Sequence, residues 1–125
     1  MQNQGNENKK IFFFKIKMNN SLSKTQQVNY VIGHADEEFD DFIEGQLLTE
    51  TRKSGKALIQ LVKAWCQLKK TMVEWECHGV IGAIEEYTFG SHKYSEKGST
   101  LQIKIRKLAT KYVDLKKKYI STYLN

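Results

Sequence analysis

Metal or nucleophilic chemistry in this chain would have to come from Cys66, Cys77, His78 and His92, and their spacing argues against it. There is no C-x-x-C pair and no pair of histidines three to five residues apart, the arrangements from which zinc sites are built. Ordinary buried thiols and a surface histidine are expected instead, with no metal and no cofactor. His34 stands two residues before Asp36, and a carboxylate can orient an imidazole as a base. No serine or cysteine nucleophile motif accompanies the pair, so no catalytic residue is assigned and the chain is read as a non-enzyme. The phosphate-cradling patterns G-x-x-x-x-G-K-[ST] and G-x-G-x-x-G are absent as well.

Aromatic residues interleaved with cations offer a different chemistry. Tyr30, Trp65, Trp75, Tyr87 and Phe89 accompany Arg52, Lys53, Lys56, Lys63 and Lys69. Exposed rings can stack bases at about 1–3 kcal/mol each while lysines follow the phosphates. The competing reading places Trp65, Trp75 and Phe89 in a core, and Trp75, flanked by Glu74 and Glu76, is assigned there. Arg52, Lys53, Lys56, Lys63 and Lys69 stand as the candidate nucleic-acid contacts.

The charge balance supports an anionic partner. Twenty Lys/Arg against fourteen Asp/Glu leave +6 over 125 residues, and the charges are segregated. Asp36, Glu37, Glu38, Asp40, Asp41 and Glu44 form one acidic cluster, read as a solvated edge or turn that blocks strand pairing. Arg52 to Lys70 holds six cations and no acid, and Leu101 to the end holds seven against Asp114 alone. Such a distribution favours nucleic acid as a partner. The length suits one domain; the longest apolar runs are a few residues long, so no membrane span is expected. The polar start MQNQGNENKK lacks the apolar core of a secretory signal. Two cysteines without a dense framework fit a reducing, intracellular setting.

The elements that must position these residues divide unevenly in clarity. Residues 1–8 are polar and are read as a disordered tail. Lys10 to Met18 alternates in part and reads as a strand. Between Lys56 and Glu74, polar residues step by 4, 3, 4, 3 and 4, which is a helix period. The same stretch also splits into two β-rich pieces, Ala57 to Cys66 and Thr71 to Val80. In the second, Val73, Trp75 and Cys77 alternate with Glu74, Glu76 and His78, favouring a strand. Gly79, Gly82 and Gly90 then read as bulges or bends. The C-terminal segment is clearer. Leu101, Ile105, Leu108, Tyr112, Leu115 and Tyr119 form an apolar stripe opposite Lys104, Lys107, Lys111, Asp114 and Lys118. Ser99 and Gln102 fit a capping box. A helix over Thr100 to Leu124 would run about 37 Å. That exceeds what one end of a small barrel needs, so the stripe is expected to meet partner helices.

From Val28 onward the order of segments resembles the smallest subunit of replication protein A. VNYVIGHADEE, DDFIEGQLLTE, KALIQLVKAWC, TMVEWECHGVIG and AIEEYTFGSHKY would be its five strands, and the segment from Ser99 its helix. The resemblance rests on rhythm and element order over residues 28–123. It implies a mainly β fold: a five-stranded OB barrel over residues 9–98, with an extra N-terminal strand, and one long C-terminal α-helix over 99–125. By that resemblance the chain is a nuclear structural subunit of a heterotrimeric complex that binds single-stranded DNA. It would join two larger OB-fold subunits in a helix bundle through Leu101, Ile105, Leu108, Tyr112, Leu115 and Tyr119, and touch DNA mostly indirectly. In a divergent eukaryote such as a ciliate, relatives of this subunit also serve telomerase or telomere complexes. The rival reading is a stand-alone basic α/β protein or adaptor, with Lys56 to Glu76 a true helix, that engages nucleic acid itself.

Overall fold

The computed structural model describes residues 22–49, 54–90 and 95–124. They are helical except at Leu22, Ser23, His34, Ser54 and Gly90. In chain order the elements are α1 (Lys24–Gly33), α2 (Ala35–Glu38), a π-helical turn (Phe39–Ile43), α3 (Glu44–Thr49), α4 (Gly55–Phe89) and α5 (Ser95–Tyr119). A second π-helical turn, Ile120–Leu124, closes the chain. Among the described residues there is no strand, and this overturns both the expected OB barrel and the α/β alternative. The segments read as the first two strands lie in α1, α2, the π turn and α3. The segments read as the third and fourth lie in α4, as does most of the fifth. The strand at Lys10 to Met18 and the tail at 1–8 fall outside the described residues.

The strand reading of residues 71–82 fails because a longer period runs through it. Leu61, Ala64, Leu68, Thr71, Trp75, His78 and Gly82 step by 3 and 4 without interruption. Among them Leu61, Ala64, Leu68, Thr71 and Gly82 are buried. Six alternating residues are compatible with either conformation, whereas a stripe sustained over six turns is a helix signal. Lys69 and Lys70, between the two β-rich pieces, sit inside this helix. At 35 residues α4 is about 52 Å long. It ends where Gly90 takes a left-handed φ of 69° and its N–H bonds the Glu86 carbonyl at 2.9 Å, a conformation suited to glycine.

Five residues separate Phe89 from Ser95, and α4 and α5 pack along each other, so they form an antiparallel hairpin. The C-terminal helix is the expected one in kind, with an earlier start. Because α5 begins at Ser95, the capping box proposed at Ser99 and Gln102 lies inside the helix. The capping box of the structure is at Ser23 and Gln26. The Gln26 N–H bonds Ser23 Oγ at 3.2 Å, and the Ser23 N–H bonds Gln26 Oε1 at 2.9 Å. Its S-x-x-Q spacing was legible in the sequence.

The short helices α1 to α3 cover one face of the hairpin. Toward α5, Lys24 Nζ meets Asp114 at 2.9 Å and Arg106 donates to Asn29 Oδ1 at 3.0 Å. Toward α4, the Trp65 indole donates to the Ala35 carbonyl at 2.7 Å, Phe39 packs on the Trp65 ring, and Lys69 pairs with Asp36 at 2.9 Å. The core between the layers is built from Val28, Val31, Phe42, Ile43, Leu58, Leu61, Ala64, Leu68, Ile105, Ala109, Tyr112, Val113, Tyr119 and Ile120.

Polar groups run through this core. Glu38 and Lys116, both buried, form an ion pair. Tyr112 Oη donates to the same Glu38 oxygen at 2.9 Å, and Lys116 Nζ lies 4.5 Å from the centre of the Phe42 ring. One turn further, Tyr119 Oη donates to Gln46 Oε1 at 3.2 Å. Glu38, Phe42 and Gln46 are spaced by four. In a regular α-helix each such step rotates about 40° off the axis, and two steps would carry Gln46 away from α5. The π turn at Phe39–Ile43 winds more loosely, which keeps all three on the side facing α5.

Gly79 is in the helix interior with open space around a Cβ. Gly79→Ala is therefore expected to raise stability by about 0.5–1 kcal/mol in chemical denaturation. Lys116→Met or Glu38→Leu alone should cost about 3–5 kcal/mol, because each strands a buried charge. The double variant should lose clearly less than the sum of the two, read from a double-mutant cycle. Burial pushes the Tyr112 hydroxyl well above the ordinary tyrosine range, helped by the Glu38 charge and the hydrogen bond to it. The folded chain therefore keeps a proton that the unfolded chain releases above about pH 10. Stability should fall as pH rises past that point, and the fall should be shallower in Tyr112→Phe.

Candidate nucleic-acid interface

The groups with chemical potential are mostly occupied in holding the fold. The Glu38, Lys116 and Tyr112 cluster is sealed from solvent, so it has structural work and no access for a substrate. Among the described residues no three His, Cys, Asp or Glu side chains come together to hold a metal. Cys66 and Cys77 are both exposed free thiols, contrary to the buried thiols expected. They lie on the outward side of α4, away from α5. His78 is partly buried and His92 lies outside the described residues. His34 does not approach Asp36 as a base. Its Nδ1 lies 3.0 Å from the Tyr30 carbonyl and its ring stacks on Tyr30 at 4.3 Å, while Asp36 is taken by Lys69.

The acidic cluster is not a strand edge. It spans α2, the π turn and the start of α3, and two of its members face the basic helices: Asp36 meets Lys69 on α4 and Glu38 meets Lys116 on α5. The aromatics do not assemble into a platform. Trp65 packs into the layer contact. Trp75, assigned to the core, is 38% exposed, and Phe89 and Tyr87 are 76% and 95% exposed on the far half of α4.

The stripe assigned to partner helices turns inward. Leu101, Ile105, Tyr112 and Tyr119 are buried and Leu108 and Leu115 partly so, all within this chain's own core. The long α4 supplies the surface that the sequence reading sought in another subunit.

Of the candidate nucleic-acid residues, Arg52 and Lys53 lie outside the described residues. Lys69 is held by Asp36 and faces α1 to α3. Lys56 and Lys63 are exposed on α4, and with Lys70 they recur every seven residues, one row along the helix. On α5, Lys104, Lys107, Lys111 and Lys118 form a second exposed row at steps of 3, 4 and 7.

Their directions follow from about 100° of rotation per residue. On α4 the side toward α5 is marked by Ala64, Leu68 and Gly82, and the side toward α1–α3 by Trp65 and Lys69. The row Lys56, Lys63 and Lys70 lies about a quarter turn from α5, on the side away from α1–α3. On α5 the side toward α1–α3 is marked by Arg106, Tyr112 and Lys116, which meet Asn29 and Glu38, while the Lys24–Asp114 pair reaches round to the border of the lysine row. There the row Lys104, Lys107, Lys111 and Lys118 lies about a quarter turn from α4, again away from α1–α3. Both rows therefore open on the same broad face of the hairpin. Among the described residues no ion pair or hydrogen bond engages the ammonium group of any of the seven. Glu74 and Glu85 follow on that side toward the C-terminal end of α4, so the basic field is strongest over the first half of α4 and the α5 row beside it. Sequence reasoning found Lys56 and Lys63, and missed Lys70 and the α5 row as one surface with them. The seven-residue recurrence was the available signal.

Compared with known proteins, the chain matches no family model, no curated protein and no solved structure.

Proposed function

We propose that this chain is a helical, non-enzymatic binding protein whose lysine face engages an anionic polymer, nucleic acid first. The observation that carries the reading is the convergence of Lys56, Lys63 and Lys70 with Lys104, Lys107, Lys111 and Lys118 on one face of the α4–α5 hairpin, opposite α1–α3. Lysines on the two helices stand in rows about 8–10 Å apart, and the α5 row extends about 21 Å. The helical premise of the stand-alone reading, a continuous helix over Lys56 to Glu76, is present in α4. A subunit role in a single-strand DNA-binding trimer drew its support from a barrel and a free C-terminal stripe. The segments quoted for that barrel are helical where they are described, save at His34 and Gly90, and the stripe packs in this chain's own core.

Point-charge lysines without an assembled aromatic platform imply phosphate contact more than base readout. Binding should therefore depend little on sequence and steeply on salt. With four or so phosphates neutralised, log K against log salt should fall with a slope of about −3 to −4. Fluorescence anisotropy with a labelled oligonucleotide measures this directly. Reversing Lys63, Lys70, Lys111 and Lys118 to Glu should weaken binding by more than tenfold while the far-UV spectrum stays helical. Lys117→Glu, on a different side of α5, should change it little. Equal binding by the four-fold reversal, or binding indifferent to salt, would remove the proposal.

A further inference from the structure

The far half of α4 carries an apolar stripe that nothing described covers. Val73, Cys77, Val80, Ile84 and Tyr87 step by 4, 3, 4 and 3, and all five are exposed. Val80 and Ile84 are 60% and 59% exposed. By rotation the stripe points away from α5, along the outer edge of the hairpin. Over the first half of α4 that edge is met by the α2 and π-turn layer, through Val62, Trp65 and Lys69. The arm reaches no further than Lys69 and leaves Ile59 and Cys66 exposed beside it; the stripe continues the same edge.

The charge around the stripe is unlike the rest of the protein. From Thr71 to Gly90 there are four acids (Glu74, Glu76, Glu85 and Glu86) and no Lys or Arg, in a chain of net charge +6. An occupant should therefore be apolar and basic. The chain holds such a segment outside the described residues: KKIFFFKIKM, residues 9–18, with six apolar side chains, four lysines and no acid. Its length also fits. The described chain begins at Leu22 beside Lys24, which is anchored to Asp114 on α5. From Asp114 to the start of α5 at Ser95 is about 28 Å along the helix. Residues 10–22, extended, span about 43–47 Å, enough to reach every level of the stripe.

We propose that residues 9–18 dock in cis on the far half of α4, with Phe12, Phe14, Ile16 and Met18 against Val73, Val80, Ile84 and Tyr87, and their lysines toward Glu74 and Glu76, which lie to either side of the stripe. Docking there completes the edge that α2 and the π turn begin, and neutralises the one acidic stretch of α4. It does not depend on the lysine face described above.

The two native thiols make the test internal. Cys66 and Cys77 are both exposed on this edge, Cys77 within the stripe and Cys66 beside the arm in the first half of α4. Eleven residues of helix hold them about 16 Å apart, too far to bond to each other within one chain. In the full-length Phe14→Cys variant, mild oxidation followed by peptide mapping reads which thiol residue 14 reaches. The expected product is a monomer with a 14–77 disulfide in clear excess over 14–66. Adding Val80→Lys and Ile84→Lys should bring the two products to parity. A 14–77 disulfide formed chiefly between chains would overturn docking in cis and assign the stripe to a second copy. Equal capture by Cys66 and Cys77, or none by either, would overturn docking altogether.

Discussion

A lysine ammonium and a glutamate carboxylate buried together, Lys116 with Glu38, set the terms for everything packed around them. Taking one such charge out of water costs several kcal/mol unless a partner meets it. Lys116 lies on the buried side of α5 between Val113 and Tyr119, so α5 can occupy the core only if an acid arrives there. Glu38 supplies it from the far end of the short α1–α2 arm. Tyr112 hydrogen-bonds the same carboxylate, and Phe42 presents its ring to the ammonium. An apolar interface tolerates sliding by a turn, because Leu and Ile are interchangeable to a first approximation. A buried ion pair does not, so the register of α2 and the π turn on α5 is fixed here. Gln46 and Tyr119 repeat the arrangement one turn on.

The same constraint explains the segregation of charge. A cluster of six acids looks like a solvated surface or a docking site when read along the chain. In the fold it lies against the basic first half of α4 and the strongly basic α5, with Asp36 and Glu38 spent on Lys69 and Lys116. Those contacts draw α1–α3 onto one face of the hairpin and leave the opposite face to the remaining lysines. The basic face is thus a consequence of where the acids went. A net charge of +6 states only that cations are in excess; the ion pairs decide on which side the excess is displayed.

The two-helix scaffold also accounts for the uncovered stripe. An α4 of 35 residues lies beside an α5 of 25 and a three-part arm that ends well short of its tip. The arm meets the outer edge of α4 only over its first half, and the apolar residues that continue along it are exposed.

Much of this was legible in the residues, unevenly. The apolar stripe from Leu101 to Tyr119 determined a long amphipathic helix, because a period sustained over that many turns has no other regular solution. The polar period through Lys56 to Glu74 equally indicated a helix, and was outweighed by β-rich composition and a short alternation at residues 73–78. Valine, tryptophan and threonine prefer strands only weakly, and tertiary packing overrides such preferences. The pair Ser23 and Gln26 marked the start of α1 and passed unnoticed, while Ser99 and Gln102 matched the same pattern inside a helix. Spacing alone does not say whether a backbone N–H is free to be capped. What only the tertiary structure decided is which surface each helix spends its apolar side on and which acid meets which lysine. Those pairings join residues 33 to 90 positions apart, and a period along the chain records which face a residue is on without recording what that face will meet.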